Sequence, residues 1–143
     1  MTIDGEHYRS IWIDDDDRSV VRVIDQQKLP FSFETKDLCS VDDIFNAIKD
    51  MTVRGAPLIG AAGAFGIYLA TLEISPLSNA GSHLKNAADY LVSCRPTAVN
   101  LSWAVNFVME RLRGIDETAE LQEAALESAL EICETEAENC RLI

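Results

Sequence analysis

The sequence predicts an α+β fold in which a small antiparallel β-meander is followed by a helical bundle. Three observations predict it: short β-prone segments in the first forty residues, apolar spacing of helical period from residue 40 onward, and a globular composition of 48% hydrophobic and 25% charged residues. At 143 residues the chain can bury one core. We therefore predict a single domain over residues 1–143, with the meander at 1–38 and the bundle at 40–143.

The predicted meander has three strands, at residues 10–13, 19–24 and 31–35, because these segments are β-prone or alternate in polarity. An acidic run at residues 14–18 separates the first two strands. Acidic side chains can chelate a hard cation such as Ca²⁺, but these adjacent carboxylates lack the glycine and spaced ligands of a calcium loop. A solvated hairpin turn is the preferred interpretation, and no metal site is predicted.

Five helices are predicted in the bundle. Ser40 or Asp42 can cap the first helix, which runs to about residue 50. The other four are predicted at residues 57–72, 78–92, 98–111 and 117–139. In the last of them, apolar residues alternate with glutamates, and the acidic stripe is interpreted as a solvated face.

The second helix carries no charge and is rich in glycine and alanine. From residue 57 to 72 it would rise only about 24 Å, which is short of the ~30 Å hydrocarbon core of a bilayer. A buried helix against tightly packed neighbours is therefore favoured over a membrane span. The fourth helix is predicted to start at an N-cap on Thr97 and to bury most of its apolar side chains, namely Val99, Trp103, Val105, Phe107 and Leu112.

Charge and cysteine content restrict the class of protein. The chain has 12 basic and 24 acidic residues, a net charge of −12, which disfavours nucleic acid and anionic membrane surfaces as partners. The first dozen residues hold no secretory signal, so a cytoplasmic location with reduced thiols is predicted for the four cysteines. His7 and His83 lack ligand-spaced companions, and no cofactor is required.

Two helix starts have the residues expected of an anion site. In the first, Arg54, Gly55 and Ala56 precede Pro57, which suits the first turn of a helix. Gly55 permits a tight turn and close approach of a ligand, the free amides of a helix start attract a negative group, and a guanidinium can bind phosphate through two hydrogen bonds. From the spacing alone, a surface arginine and an ordinary turn are the favoured interpretation, because the string is short.

The second helix start, at residues 93–101, again places an arginine before a proline, here Arg95 before Pro96. An ordinary capped helix with a solvent-facing Arg95 is the alternative. Two such starts in one acidic domain favour the anion site more than either does alone. The prediction is that Arg54 and Arg95 converge on one shared pocket.

Three segments resemble methylthioribose-1-phosphate isomerases, whose superfamily also holds ribose-1,5-bisphosphate isomerases and regulatory subunits of translation initiation factor 2B. They are residues 48–66 (IKDMTVRGAPLIGAAGAFG), residues 95–104 (RPTAVNLSWA) and residues 25–30 (DQQKLP). The resemblance implies the amino-terminal domain of a longer two-domain isomerase, with the Rossmann-like second domain absent.

The resemblance further implies the aldose–ketose isomerisation of 5-methylthioribose 1-phosphate in methionine salvage. Arg54, Gly55, Ala56 and Arg95 would bind this phosphorylated sugar. The family's catalytic Cys and Asp lie beyond this chain, so no catalytic residue is assigned here and the chain alone is expected to be inactive. Two further expectations are a homo-oligomer or a missing second domain as partner, and, as the alternative function, an interaction module like the initiation-factor subunits.

Overall fold

The computed structural model describes residues 2–3, 6–7, 11–14, 17–24, 35–50, 56–74, 79–95, 98–115 and 117–141. Strands and helices follow one another in the predicted order, and the fold is α+β. The strands are β1 (Thr2–Ile3), β2 (Glu6–His7), β3 (Ile11–Ile13), β4 (Val21–Ile24) and β5 (Thr35–Leu38). The helices are α1 (Val41–Lys49), α2 (Ala56–Leu72), α3 (Ala80–Ser93), α4 (Val99–Leu112) and α5 (Thr118–Arg141).

The predicted meander is present as the antiparallel sheet β3-β4-β5. Its third strand is described at Thr35–Leu38, which overlaps the predicted span at Thr35, and residues 31–34 lie outside the described residues. This register pairs Val21 with Leu38, which are both buried, so that the strand contributes an apolar side chain to the core. The small hairpin β1-β2 was not predicted from the sequence.

The acidic segment forms a turn, as predicted, where it is described. Asp17 accepts hydrogen bonds from the backbone amide and hydroxyl of Ser19, and the amide of Asp14 donates to the Val20 carbonyl over 2.9 Å. Arg22 pairs with Asp14 at 2.8 Å. The described residues hold no cluster of His, Cys, Asp or Glu that fits a metal ion.

Helix α2 is the central element of the core. Almost all of its described side chains are buried, and it packs against α1, α3, α4 and α5. The predicted buried helix with tight neighbours is therefore confirmed. No helix in the described part of the chain combines the length and apolar character needed to cross a membrane.

Helix α4 differs from its prediction at its start and on its outer face. The N-cap is Ala98, without a side-chain cap, and not Thr97. Val99 is 77% exposed and Trp103 55% exposed, although both were predicted to be largely buried. Val105 and Leu112 are buried as predicted, and Phe107 is half-buried. The reason is geometric: the face toward the core is completed by Leu101, Ala104 and Val108 and not by Val99 and Trp103.

Helix α5 has the predicted amphipathic character. Leu121, Ala125, Ala129 and Ile132 are buried, while glutamates such as Glu123 are exposed. Glu123 pairs with Arg18 at 3.2 Å, which ties this helix to the turn of the meander. The acidic stripe is thus a solvated face with a few surface ion pairs, each worth about 0–1 kcal/mol.

Candidate anion site at the start of helices α2 and α4

The directions of the helices decide which of their ends lie together. Helix α3 runs antiparallel to α2, because an ideal Cβ on Gly66 would lie 2.7 Å from Leu91 Cδ1, while His83 Nε2 lies 3.0 Å from the Ala70 carbonyl oxygen. The last turn of α3 therefore lies beside the middle of α2, and α3 points toward the beginning of α2. Since only a short connection, residues 94–98, joins α3 to α4, helix α4 starts at that same end.

Close approach at Gly60 places the second turn of α2 beside the first turn of α4. An ideal Cβ on Gly60 would lie 3.2 Å from the Asn100 carbonyl oxygen and 3.6 Å from Ala104 Cβ. Gly60 is in the second turn of α2, and Asn100 is the second residue of α4. At 1.5 Å of rise per residue, the two helix starts lie within about two turns of one another along the axes. Both positive dipole ends therefore face the same region.

The amide groups at the start of α4 lack a side-chain cap. Helix α1 is capped by Ser40, whose hydroxyl accepts a hydrogen bond from the Asp43 amide at 3.1 Å, as predicted. Helix α3 is capped by the side chain of Asn79, which accepts from Ser82 at 3.0 Å. The N-cap of α4 is Ala98, whose methyl group cannot accept a hydrogen bond. The first amides of α4 are thus left to solvent or to a ligand.

Arg95 lies in the connection that leads into α4 and is half-buried. Its backbone is fixed, because its amide donates to Val92 at 3.3 Å and its carbonyl accepts from Ala98 at 2.9 Å. Other arginines in the described segments pair with carboxylates, namely Arg18, Arg22, Arg111 and Arg113. No described carboxylate pairs with Arg95. In an acidic chain, a half-buried arginine that no described carboxylate pairs with is available to an external anion.

Two more side chains belong to this end of the bundle. Helix α1 runs antiparallel to α2, because Val41 at its start donates to Glu73 at the end of α2 over 3.4 Å. Lys49, in the last turn of α1, therefore lies near the start of α2. Burial raises the pKa of the Cys94 thiol, and backbone amides together with the positive charges of Arg95 and Lys49 only partly oppose that effect. Cys94 therefore stays protonated at neutral pH.

A separate cavity of about 500 Å³ opens at the other end of α4. It lies between the start of α3, near Asn79, and the turn after α4, near Gly114. Most of its lining is apolar, and its arginine, Arg113, is exposed and already shares a weak ion pair with Glu110 at 3.4 Å. The features expected of an anion site are therefore found at the Arg95 end and not here.

Residues 52–143 match the model of the initiation factor 2 subunit family. The chain belongs to this family. Among the curated relatives, the methylthioribose-1-phosphate isomerases of Desulfatibacillum aliphaticivorans and Acidiphilium cryptum are 43% and 44% identical to this chain over 143 residues. The alignments cover the whole chain but only 39% and 38% of those relatives. The chain thus spans less than two fifths of the length of the proteins it matches.

Two solved structures share the fold of this family member. The translation initiation factor eIF-2B subunit delta from A. fulgidus matches with a TM-score of 0.84 and 39% identity, over 92% of this chain and 38% of that one. The 5-methylthioribose 1-phosphate isomerase from Pyrococcus horikoshii matches with a TM-score of 0.76 and 33% identity, over 87% and 35%. The resemblance seen in the sequence motifs is confirmed, as is its restriction to part of the family's length.

The structure describes two of the four predicted site residues of this family member, Ala56 and Arg95. Arg54 and Gly55 lie outside the described residues, so the expected convergence of Arg54 and Arg95 stays a prediction. Ala56 is the first residue of α2, and Arg95 lies at the same end of the bundle. Sequence reasoning missed Lys49, whose position follows only from the antiparallel packing of α1 on α2.

Proposed function

We propose that this chain is the phosphate-binding part of a methylthioribose-1-phosphate isomerase. The observation that carries the proposal is the half-buried Arg95, without a described carboxylate partner, beside the uncapped start of α4. The names of the curated relatives supply the substrate class, 5-methylthioribose 1-phosphate. The whole protein would convert this aldose phosphate into the corresponding ketose phosphate.

Each proposed residue has a physical role toward the phosphate. Arg95 neutralises charge and donates paired hydrogen bonds, and Arg54 does the same from the segment before α2. Gly55 allows the backbone to approach the ligand closely, and Ala56 brings the first amide of α2 to it. Phosphate binding at this end also benefits from two parallel helix dipoles, each worth about 0.3–1 kcal/mol toward a negative group.

Binding of the phosphate does not itself move a proton. Aldose–ketose isomerisation needs an acid–base pair held close to the reacting carbons. The Cys94 thiol is protonated at neutral pH because burial raises its pKa, so it is not a ready base. We therefore propose that the 143-residue chain binds substrate without turning it over, and that the reaction belongs to a protein of the relatives' length.

Calorimetric titration of the purified chain with 5-methylthioribose 1-phosphate tests the binding. Arg95→Gln should weaken binding about 10- to 100-fold, because a hydrogen bond to a charged group contributes about 1.5–3 kcal/mol. Arg113→Gln is the matched control, since it removes an exposed arginine at the opposite end of α4 and should leave the dissociation constant unchanged. The proposal fails if the chain does not bind the sugar phosphate or if both variants weaken binding equally.

A turnover assay on the same preparation tests the second half of the proposal. Incubation of the chain with 5-methylthioribose 1-phosphate, followed by NMR of the sugar protons, should show no ketose phosphate. The control is a full-length curated relative, which should convert the substrate under the same conditions. Conversion by the chain at a comparable rate would contradict the proposed division of labour.

The second candidate function is an interaction module, and two observations favour it. The TM-score is higher for the initiation-factor subunit than for the isomerase structure, at 0.84 against 0.76. In addition, Val99, Trp103 and Phe107 form an apolar stripe on the outer face of α4, and the Trp103 and Phe107 rings stack at 5.3 Å. If two copies of the chain associate through this stripe, the wild-type chain should sediment as a dimer. The Trp103→Ser variant should then sediment as a monomer. A wild-type chain that sediments as a monomer at high concentration would contradict it.

A further inference from the structure

We infer that Gly60 is a positioning residue that sets the distance between the starts of α2 and α4, and thereby the fit of the site to its phosphate ligand. The inference rests on the proposed function, because it concerns the same site. Gly60 need not contact the ligand to have this effect. Gly60 acts through the backbone of α4, because the absence of a side chain allows that backbone to approach α2 at this position.

The contact at Gly60 differs in kind from the contacts at the next two glycines of α2. A Cβ at Gly60 would meet the backbone carbonyl oxygen of Asn100 at 3.2 Å. At Gly63 it would meet Leu101 Cδ1 at 2.5 Å, and at Gly66 it would meet Leu91 Cδ1 at 2.7 Å. A side chain can rotate away from a new methyl group, whereas a carbonyl in the first turn of a helix moves only with the helix start.

The same first turn of α4 carries the proposed ligand donors. The Asn100 carbonyl and the Leu101 amide belong to the same peptide group, which follows Val99 and the uncapped Ala98. A methyl group on Gly60 would push this turn away from α2 by a few tenths of an ångström. The amides of α4 and those of α2 would then no longer match one phosphate, although the core further along both helices would stay packed.

The test compares Gly60→Ala with Gly63→Ala in the chain. Both changes replace a helical glycine by alanine, which favours the helix by up to about 1 kcal/mol. The gain in helix propensity is therefore the same in both variants. Urea denaturation gives the stability of each variant. Calorimetric titration with 5-methylthioribose 1-phosphate, and separately with inorganic phosphate, gives the affinity.

We expect Gly60→Ala to weaken binding of both ligands at least threefold while the midpoint in urea hardly falls. Gly63→Ala should lower the midpoint more, because its methyl group meets buried Leu101 and Val105 side chains, yet keep the affinity within twofold of wild type. A purely structural role predicts the reverse, with affinity following stability in both variants. Equal affinities of Gly60→Ala and wild type would overturn the inference.

Amide chemical shifts of the ligand-free variants separate this inference from the proposed function. Gly60→Ala should shift the amides of Val99, Asn100 and Leu101, whereas Gly63→Ala should leave Val99 in place. If the wild-type chain binds no phosphate, the proposed function fails, while these shifts still show whether Gly60 positions α4. Unchanged shifts in Gly60→Ala would refute the positioning role by themselves.

Discussion

Packing around the central helix makes a prediction at Gly66, where α2, α3 and α1 meet. A Cβ at this residue would lie 2.7 Å from Leu91 Cδ1 and 3.2 Å from Ile44 Cγ2. Carbon atoms in contact normally stay about 3.5–4.0 Å apart, so Gly66→Ala overlaps a buried leucine. Overpacking of this kind costs about 1–3 kcal/mol, and the gain of about 1 kcal/mol in helix propensity offsets part of it. The net expectation is a loss of about 0–2 kcal/mol.

The decisive comparison is the same change in a Leu91→Ala background. Leu91→Ala alone should cost about 2–5 kcal/mol, because it leaves a cavity in the core. In that background the overlap with Leu91 is gone and the new methyl group fills part of the cavity, so Gly66→Ala should stabilise the protein. The expected coupling between the two sites is about 1–3 kcal/mol.

Urea denaturation followed by far-ultraviolet circular dichroism measures the free energy of unfolding of the four proteins in this cycle. Gly63→Ala provides the control, since its neighbours are Leu101 and Val105 and not Leu91. It should add to Leu91→Ala within about 0.5 kcal/mol. The packing account would be refuted if Gly66→Ala changed stability by the same amount with and without Leu91.

Two further predictions concern helix α1 and its contact with α3. Ser40→Ala removes the hydroxyl that accepts a hydrogen bond from the Asp43 amide, and it should lower the free energy of unfolding by about 1 kcal/mol. Ser40→Asp should keep the wild-type stability, because its carboxylate can accept the same hydrogen bond. A Ser40→Ala protein as stable as wild type would contradict the cap. The hydrogen bond from Tyr90 to Asp42 raises the pKa of the Tyr90 phenol, so Asp42→Asn should lower that pKa toward its usual value in an absorbance titration. Because the folded-state pKa is raised, the stabilisation from this contact is present below about pH 10 and is lost as the pH rises through that higher value. Tyr68, whose pKa is raised mainly by burial, should titrate unchanged, and an unaltered Tyr90 would contradict the assignment.

The elements that the sequence predicts well are those with one dominant physical signal. The charge-free run of small residues has to be buried, and α2 is buried. Ser40 precedes a segment of helical period and accepts the amide that an N-cap should accept. The apolar stripe of α5 has one wide polar face opposite it, so its orientation follows from the pattern alone.

Helix α4 could not be oriented in this way, because it is apolar on two faces. Val99 and Trp103 recur four residues apart, just as Leu101 and Val105 do, and periodicity does not tell which pair faces the core. Thr97 was the predicted cap because of its hydroxyl, yet the Ala98 amide closes a turn onto Arg95 at 2.9 Å and the helix begins one residue later. The described third strand extends past the predicted residue 35 to Leu38, because Leu38 pairs with Val21 in the core, a contact that local alternation does not reveal.

For the candidate site, the sequence provides residue types and motifs but not their surroundings. It shows that Arg95 precedes a helix, and it cannot show that none of the described carboxylates reaches it. That fact depends on the three-dimensional distribution of charge. Nor does linear order reveal that Lys49 lies at the same end of the bundle, which follows from the antiparallel packing of α1 on α2.

The proposed function requires that a phosphate bind where α2 and α4 begin. Titration of the ¹⁵N-labelled chain with 5-methylthioribose 1-phosphate, followed by two-dimensional NMR, tests it most directly. We expect the largest shift changes at the amides of Val99, Asn100 and Leu101 and in the first turn of α2, while the capped start of α3 near Ser82 stays unchanged. Saturable shifts confined to the far cavity near Gly114, or no shifts at all, would contradict it.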